Sequence, residues 1–320
     1  MPHRVTVIGL GVMGQRMLAN MSAHPQFEVA VAWDPDADAR AFTVQRHPQT
    51  RIAASAEAAI ADPDTGVVYV ASPPAWHAAH AIAALDAGKA VYCEKPLAVD
   101  LAEGRALVER AERSPMAAIV NFSLASAAAT REVERSLAAG EVGDVAGIDV
   151  RIQFSQWPRD WQMGAVGWLS RRAQGGFTRE VVSHWVYLTE RLFGPTRLRA
   201  ASVRWPEGDG SELQVVADLD AGGIPVSIAG GVGGVGPDRV EYTIRGTRRS
   251  WRIHDWNRLR TATGPEWVDA LTHLADPRRT GYVLQLDNAA AAFAGAEHSM
   301  PGFAQALSVQ ERVEAILAAG

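Results

Sequence analysis

A glycine run, Gly9-Leu10-Gly11-Val12-Met13-Gly14, follows the β-branched stretch Arg4-Val5-Thr6-Val7-Ile8 directly, and Asp34 lies twenty residues beyond it. A strand, a tight turn and a helix start in this order make a cradle for a pyrophosphate. Gly9 permits the turn, Gly11 lets the backbone approach the phosphates, and Gly14 allows the helix to pack closely on the strand. Leu10, Val12 and Met13 share that cradle. Asp34 ends a second apolar run, Val29 to Trp33. Its carboxylate is placed to accept hydrogen bonds from adenosine ribose hydroxyls and to repel a 2′-phosphate, so NAD is the expected cofactor. NADP stays open, because Arg40 could reach a 2′-phosphate if Asp34 turned away. A second run, Gly231 to Gly236, has the same spacing but precedes Pro237-Asp238-Arg239 and a β-like stretch, so it reads as an inter-strand loop.

Two further segments carry chemistry. Val67 to Ala71 ends in Ser72-Pro73-Pro74-Ala75-Trp76-His77, and Gly88-Lys89 leads through Ala90 to Cys93 into Glu94-Lys95-Pro96-Leu97. Gly175-Gly176-Phe177-Thr178-Arg179-Glu180-Val181-Val182-Ser183-His184 follows later. Together with the glycine turn and Asp34, these resemble the glucose-fructose oxidoreductase and inositol dehydrogenase (Gfo/Idh/MocA) family over nearly the whole chain. The resemblance implies that Lys95 sits beside the nicotinamide and the substrate hydroxyl as a catalytic group, and that Pro73 and Pro74 hold the backbone near the nicotinamide, with Ser72 and Pro73 among the cofactor-binding residues. It also implies a glycine-rich helix carrying an acid and a histidine. Here the expected aspartate is Glu180, a following glycine is Val182, and an acid three residues past the histidine is Tyr187, which puts the usual polyol-hydroxyl contacts in question.

The residues themselves support parts of this. Lys95 would end a parallel strand, the edge where α/β sheets bind ligands, on a turn stiffened by Pro96. Beside a cationic nicotinamide its pKa would fall, suiting it to proton transfer or to polarising a substrate oxygen; without the flanking motif it would read as a solvated lysine. Glu94 shapes the turn or contacts ribose. His77 either helps to hold cofactor or is a helix-start residue with a satisfied side chain. Glu180 and His184 lie four apart, on one helical face, and an imidazole titrating near neutrality suits general acid/base work with Glu180 orienting it or binding substrate. An ordinary i,i+4 pair is the alternative. Trp157, Trp161, Trp168 and Trp185 are interspersed with Arg159, Arg171, Arg172 and Arg179. Rings beside fixed polar groups suit a pocket for a sugar-like ligand, with Arg159 and Arg179 for an anionic group, yet tryptophan also serves cores and arginine solvated faces. Asn121, after the fifth strand, is a candidate to close the site. No metal ligands are expected.

These groups need a doubly wound scaffold. Strands are predicted at 4–8, 28–33, 67–71, 90–93 and 117–121, alternating with helices at 12–22, 36–46, 55–61, 75–87 and 100–113. That is a Rossmann parallel sheet, an NAD-binding domain over 1–121. A second, α+β domain over 122–320 starts with a helix near 125–139 and a strand over Val145 to Gln153. Strand-length runs between 196 and 254, with no long helix among them, predict a largely antiparallel open sheet, and helices close the chain at 285–296 and 303–318.

The 320 residues suffice for two ordinary cores, and 48 % are apolar. A net charge of −5 without a basic block argues against nucleic acid as a partner. No run of about twenty apolar residues suggests a membrane span. The lone Cys93 and the absence of a signal-like N terminus point to the cytoplasm, with the thiol buried and structural. The open sheet face is expected to pair copies of the chain into a homodimer or homotetramer. The expected function is hydride transfer between nicotinamide and a carbinol or carbonyl carbon of a sugar, polyol or related small molecule. An imine reductase, an NAD-dependent glycosidase and a non-catalytic NAD(H)-sensing regulator are the rival readings.

Overall fold

The computed structural model describes all residues, Met1–Gly320. It divides into two units, the first made of Met1–Phe122, Trp161–Trp168 and Val283–Leu307, the second of Ser123–Asp160, Leu169–Tyr282 and Ser308–Gly320.

In the first unit β1 (His3–Ile8), β2 (Phe27–Trp33), β3 (Arg51–Ile52), β4 (Val67–Val70), β5 (Ala90–Cys93) and β6 (Ala118–Val120) form a sheet in the order β3-β2-β1-β4-β5-β6, and every pairing is parallel. The connecting helices are α1 (Val12–Ser22), α2 (Ala37–Arg46), α3 (Ala56–Ile60), α4 (His77–Asp86) and α5 (Leu101–Glu112). β4 and β5 are buried at every position, as strands covered on both faces require. Asp36, Ser55 and Asp100 cap α2, α3 and α5 with side-chain oxygens. α1 begins at Gly11 with no side-chain cap, and β1 and β4 flank the reversal of strand order, where such sheets bind ligands. Later chain completes this core. Phe293 meets Phe27 and Tyr92 edge-on, both at 6.4 Å, and Gly302 bridges to Ile119 at the free edge of β6.

The second unit begins with α6 (Ala128–Ala138), and its sheet is built from β7 (Val145–Phe154), β8 (Thr196–Arg204), β9 (Gln214–Ala221), β10 (Ile224–Val232), β11 (Arg239–Gly246), β12 (Ser250–His254), β13 (Arg258–Ala262) and β14 (Val268–Ala270). The order is β14-β13-β12-β11-β7-β10-β9-β8, antiparallel throughout except for β7 with β10. The second glycine run forms the β10–β11 loop and opens no helix. The remaining helices are α7 (Val166–Leu169), α8 (Ser183–Phe193), α9 (Pro277–Phe293) and α10 (Phe303–Leu317). Along β7, Ile148, Val150, Ile152 and Phe154 are buried while Asp149, Arg151 and Gln153 point away. That outer face is polar and laced with ion pairs, including Arg245–Asp149 at 2.9 Å, Arg199–Asp220 at 3.0 Å and Arg260–Asp269 at 2.7 Å.

Three departures stand out against the sequence. β3, β8, β13 and β14 carry no clear apolar run, the helix expected at 285–296 begins at Pro277, and the Glu180 segment opens as a π-turn over Thr178–Val182 before α8. Such turns recur at functional sites.

Candidate functional site

In the first unit the candidate site elements begin with the glycine turn. A Cβ on Gly14 would lie 1.9 Å from the Gly9 carbonyl oxygen, so only glycine lets α1 sit this close to the end of β1. At Gly11, by contrast, nothing lies within 4 Å of the Cβ position. The start of α1 therefore has uncapped N–H groups and open space beside its backbone, which fits a pyrophosphate. The Leu10 N–H donates to Asp34 Oδ2 at 2.6 Å and the Asp36 N–H to Oδ1 at 2.8 Å, so the carboxylate is fixed against the turn. Arg40 donates to the carbonyls of Asp34 (2.6 Å) and Pro35 (2.9 Å), which holds its guanidinium on the backbone.

Around Lys95 the turns are braced from beneath. The Glu94 carboxylate is buried and accepts from the Tyr69 hydroxyl and from Asn121 Nδ2 at 2.5 Å. Asn121 Oδ1 in turn accepts from Tyr92 at 2.7 Å and from Gln285, and Asn121 Nδ2 also faces Tyr69 at 3.4 Å. The amide's two donors and two lone pairs are all engaged, leaving none for a ligand. Glu94 thus braces the turn from the interior. Burial, reinforced by Glu94, pushes the Cys93 thiol and the Tyr69 hydroxyl well above their ordinary pKa ranges, so the thiol is unreactive.

Lys95 follows Glu94 at the C-terminal end of β5 and is buried, its bond to Pro96 cis. His77, at the start of α4, is buried with Nδ1 2.7 Å from the Pro96 carbonyl oxygen and Nε2 2.7 Å from that of Ser72. It ties the turn after β4 to the turn that carries Lys95. Burial lowers its pKa while the two carbonyl contacts oppose that shift; a neutral ring has one N–H, and only the charged form donates to both. The Ser72 hydroxyl lies 3.1 Å from His80 Nδ1, and the ring of His80 stacks on the exposed Trp76. Pro73 precedes the short helical turn Pro74–Trp76.

In the second unit the π-turn starts from Gly176, whose φ of +102° and a Cβ position 2.2 Å from Glu212 Oε2 both require glycine. The buried Glu212 accepts the Thr178 N–H at 2.5 Å, placing a carboxylate at the N-terminal end of the segment that carries Glu180 and His184. Glu180 is half-buried in the π-turn and His184 is buried on the first turn of α8. The Trp256 ring meets His184 edge-on at 5.4 Å and leans on Trp185 at 5.6 Å. Trp256 has a φ of +70°, a conformation costing a bulky residue on the order of 1–2 kcal/mol, which the surrounding contacts impose. Arg159 lies over Phe154 at 4.7 Å, Trp157 at 5.7 Å and Trp256 at 5.9 Å.

The structure therefore brings His184 and Arg159 against Trp256, with Trp157 adjoining through Arg159. Arg179 is committed elsewhere, to Glu314 at 2.6 Å and to the carbonyls of Arg172 and Gly175. Trp185 is core, and Trp161 and Trp168 belong to the first unit. Trp256, Glu212, Tyr69 and Gln285 had no local signal in the sequence.

Burial dominates at Glu212 and raises its carboxyl pKa, against the opposing Thr178 hydrogen bonds. An acid with a raised folded pKa holds its proton more tightly in the native state, so stability declines as pH rises from the unfolded pKa through the folded one. Glu212→Gln keeps an acceptor for the Thr178 N–H and removes that decline. Melting followed between about pH 4 and pH 8 is expected to show wild type losing ground to the variant as pH rises; a difference between the two that stays constant, or shifts in favour of wild type, as pH rises would contradict this.

Residues 3–122 match the oxidoreductase family with the NAD-binding Rossmann fold (GFO_IDH_MocA). The chain is 35 % identical over 145 residues to inositol 2-dehydrogenase 3 of Saccharopolyspora erythraea, covering 45 % of this chain and 43 % of that protein. It is 30 % identical over 211 residues to trans-1,2-dihydrobenzene-1,2-diol dehydrogenase of Macaca fuscata fuscata, covering 63 % and 60 %. It thus spans less than half of the first of these relatives and under two thirds of the second. Levoglucosan dehydrogenase in complex with NADH shares the fold with a TM-score of 0.88, at 20 % identity over 100 % of this chain and 97 % of that one. No helix is long and apolar enough to cross a membrane.

Proposed function

We propose, on the match of residues 3–122 to the oxidoreductase family with the NAD-binding Rossmann fold, that the chain is an NAD(H)-dependent dehydrogenase of a sugar, a polyol or a related small molecule. The observation that carries this reading is Lys95, buried at the C-terminal end of β5 and braced by Glu94 below and His77 beside it. When bound, the nicotinamide supplies a hydride donor or acceptor at its C4. Lys95 polarises the substrate oxygen, His184 gives or takes the matching proton as general acid/base, and Glu180 orients the imidazole or holds substrate. Arg159 and Trp157 present a cation and rings to the substrate.

Asp34 favours NAD. Its carboxylate, fixed by two backbone N–H groups, keeps lone pairs for ribose hydroxyls and stands as a like charge against a 2′-phosphate. Asp34→Ser is expected to raise the NADP+ to NAD+ ratio of kcat/KM by about tenfold or more, a like-charge contact being worth several kcal/mol. A ratio that does not move would remove Asp34 from cofactor choice. A second copy of the chain pairs through the open, ion-paired face of the second sheet, and the lone buried thiol suits the reducing cytoplasm.

The test is nicotinamide absorbance with NAD+ and, separately, NADP+ across sugars, inositols and other polyols, with ketones and imines in the reverse direction. Turnover with a polyol or its ketone supports this reading. Turnover with imines alone, or none in either direction despite NADH binding, overturns it.

A further inference from the structure

Trp161–Trp168 lies far from the glycine turn in sequence but belongs to the first unit, and its contacts show where it docks. The Arg16 guanidinium sits 4.7 Å over the Trp161 ring, and Arg16 also reaches back to Met13 Sδ at 3.6 Å. A Cβ on Gly164 would lie 3.7 Å from Val12 Cγ2. Val12 and Met13 open α1, so this segment leans on the first turn of the helix whose N terminus faces the cradle. It also bares apolar surface there, with Trp161 45 %, Met163 51 % and Val166 39 % exposed. An apolar strip beside the open space at Gly11 suits a cover for what the cradle holds.

We propose that Trp161 and Arg16 form a latch over the pyrophosphate end of the bound dinucleotide. This rests on the dinucleotide reading of the glycine turn. Arg16 adds a permanent cation to the positive end of α1 where two phosphates would lie. The indole beneath it restrains a long side chain that would otherwise lose its freedom on binding, and excludes water from the phosphates. Trp161 is then a cofactor-holding residue, distinct from the substrate rings around Trp256.

ADP-ribose, which carries the pyrophosphate and has no nicotinamide, is the probe. Calorimetric titration of wild type, Trp161→Ala and Arg16→Gln, together with stopped-flow displacement of NADH, reads the latch without turnover. Each substitution is expected to weaken ADP-ribose about tenfold and to speed NADH release by a similar factor, and the double variant to lose little more than either alone. Wild-type affinity in both single variants would overturn the latch and leave the cradle standing. A wild type that binds neither ligand would overturn the cradle and the latch with it. If Trp161→Ala melts without cooperativity, the Arg16→Gln result decides alone, a tenfold loss supporting the latch and none overturning it.

Discussion

Replacing Lys95 with alanine is expected to lower kcat by about a thousandfold, the upper end for loss of one positioned donor to a reacting oxygen, while NADH affinity stays within about threefold. Binding is separable from chemistry on the proposed reading, which places the dinucleotide elsewhere, on the turn Gly9 to Gly14 and at Asp34. The fold around position 95 is also held by its neighbours: Glu94 is anchored by Tyr69 and Asn121, and the Pro96 carbonyl by His77. The alanine variant should therefore melt close to wild type. Steady-state turnover, NADH titration and a melting curve on one preparation check the three statements together. A variant that retained a tenth of wild-type turnover would mean that Lys95 is only a wall of the site.

The second large effect separates two glycines of one motif. Gly14→Ala places a methyl 1.9 Å from the Gly9 oxygen and 2.8 Å from its carbonyl carbon, which α1 can relieve only by moving off the sheet. Overpacking of this kind costs about 1–3 kcal/mol, and against backbone the upper end applies. Both the melting temperature and NADH binding should fall. Gly11→Ala is the opposite case. Its φ of −71° and ψ of −162° suit alanine, and nothing lies within 4 Å of the new methyl. The variant should melt like wild type yet bind NADH more weakly, by about tenfold or more, because the methyl takes up the space the phosphates need. Scanning fluorimetry with calorimetry distinguishes the pair. Unchanged NADH affinity in Gly11→Ala would move the pyrophosphate away from this turn.

The features legible in the sequence are those encoded by local spacing. The run from Val5 to Gly14, the acidic residue after the second strand and the continuous burial of β4 and β5 each follow from neighbouring residue types. Strands whose outward residues are arginines gave little signal, as β8 with Arg197, Arg199 and Arg204, or β13 with Arg258 and Arg260. Their apolar partners are too few to mark a period of two. The supports of the candidate site were beyond reach for a different reason. Gln285 and Asn121 are 164 residues apart, Arg179 and Glu314 are 135 apart, and Glu212 caps a turn 34 residues before it. Trp256 is a single tryptophan in a hairpin loop, and only the packed structure brings it to His184. Reading Asn121 and Arg179 as ligand contacts overlooked such distant partners, which occupy both side chains.

The most direct test of hydride transfer follows the atom itself. NADH deuterated on one face of C4 is incubated with the ketone found by the substrate panel, and the product alcohol is analysed by mass spectrometry. The account predicts deuterium at the carbinol carbon from one of the two labelled faces and hydrogen from the other. Deuterium that stays in the cofactor while substrate is consumed, or a product labelled from solvent alone, would contradict it.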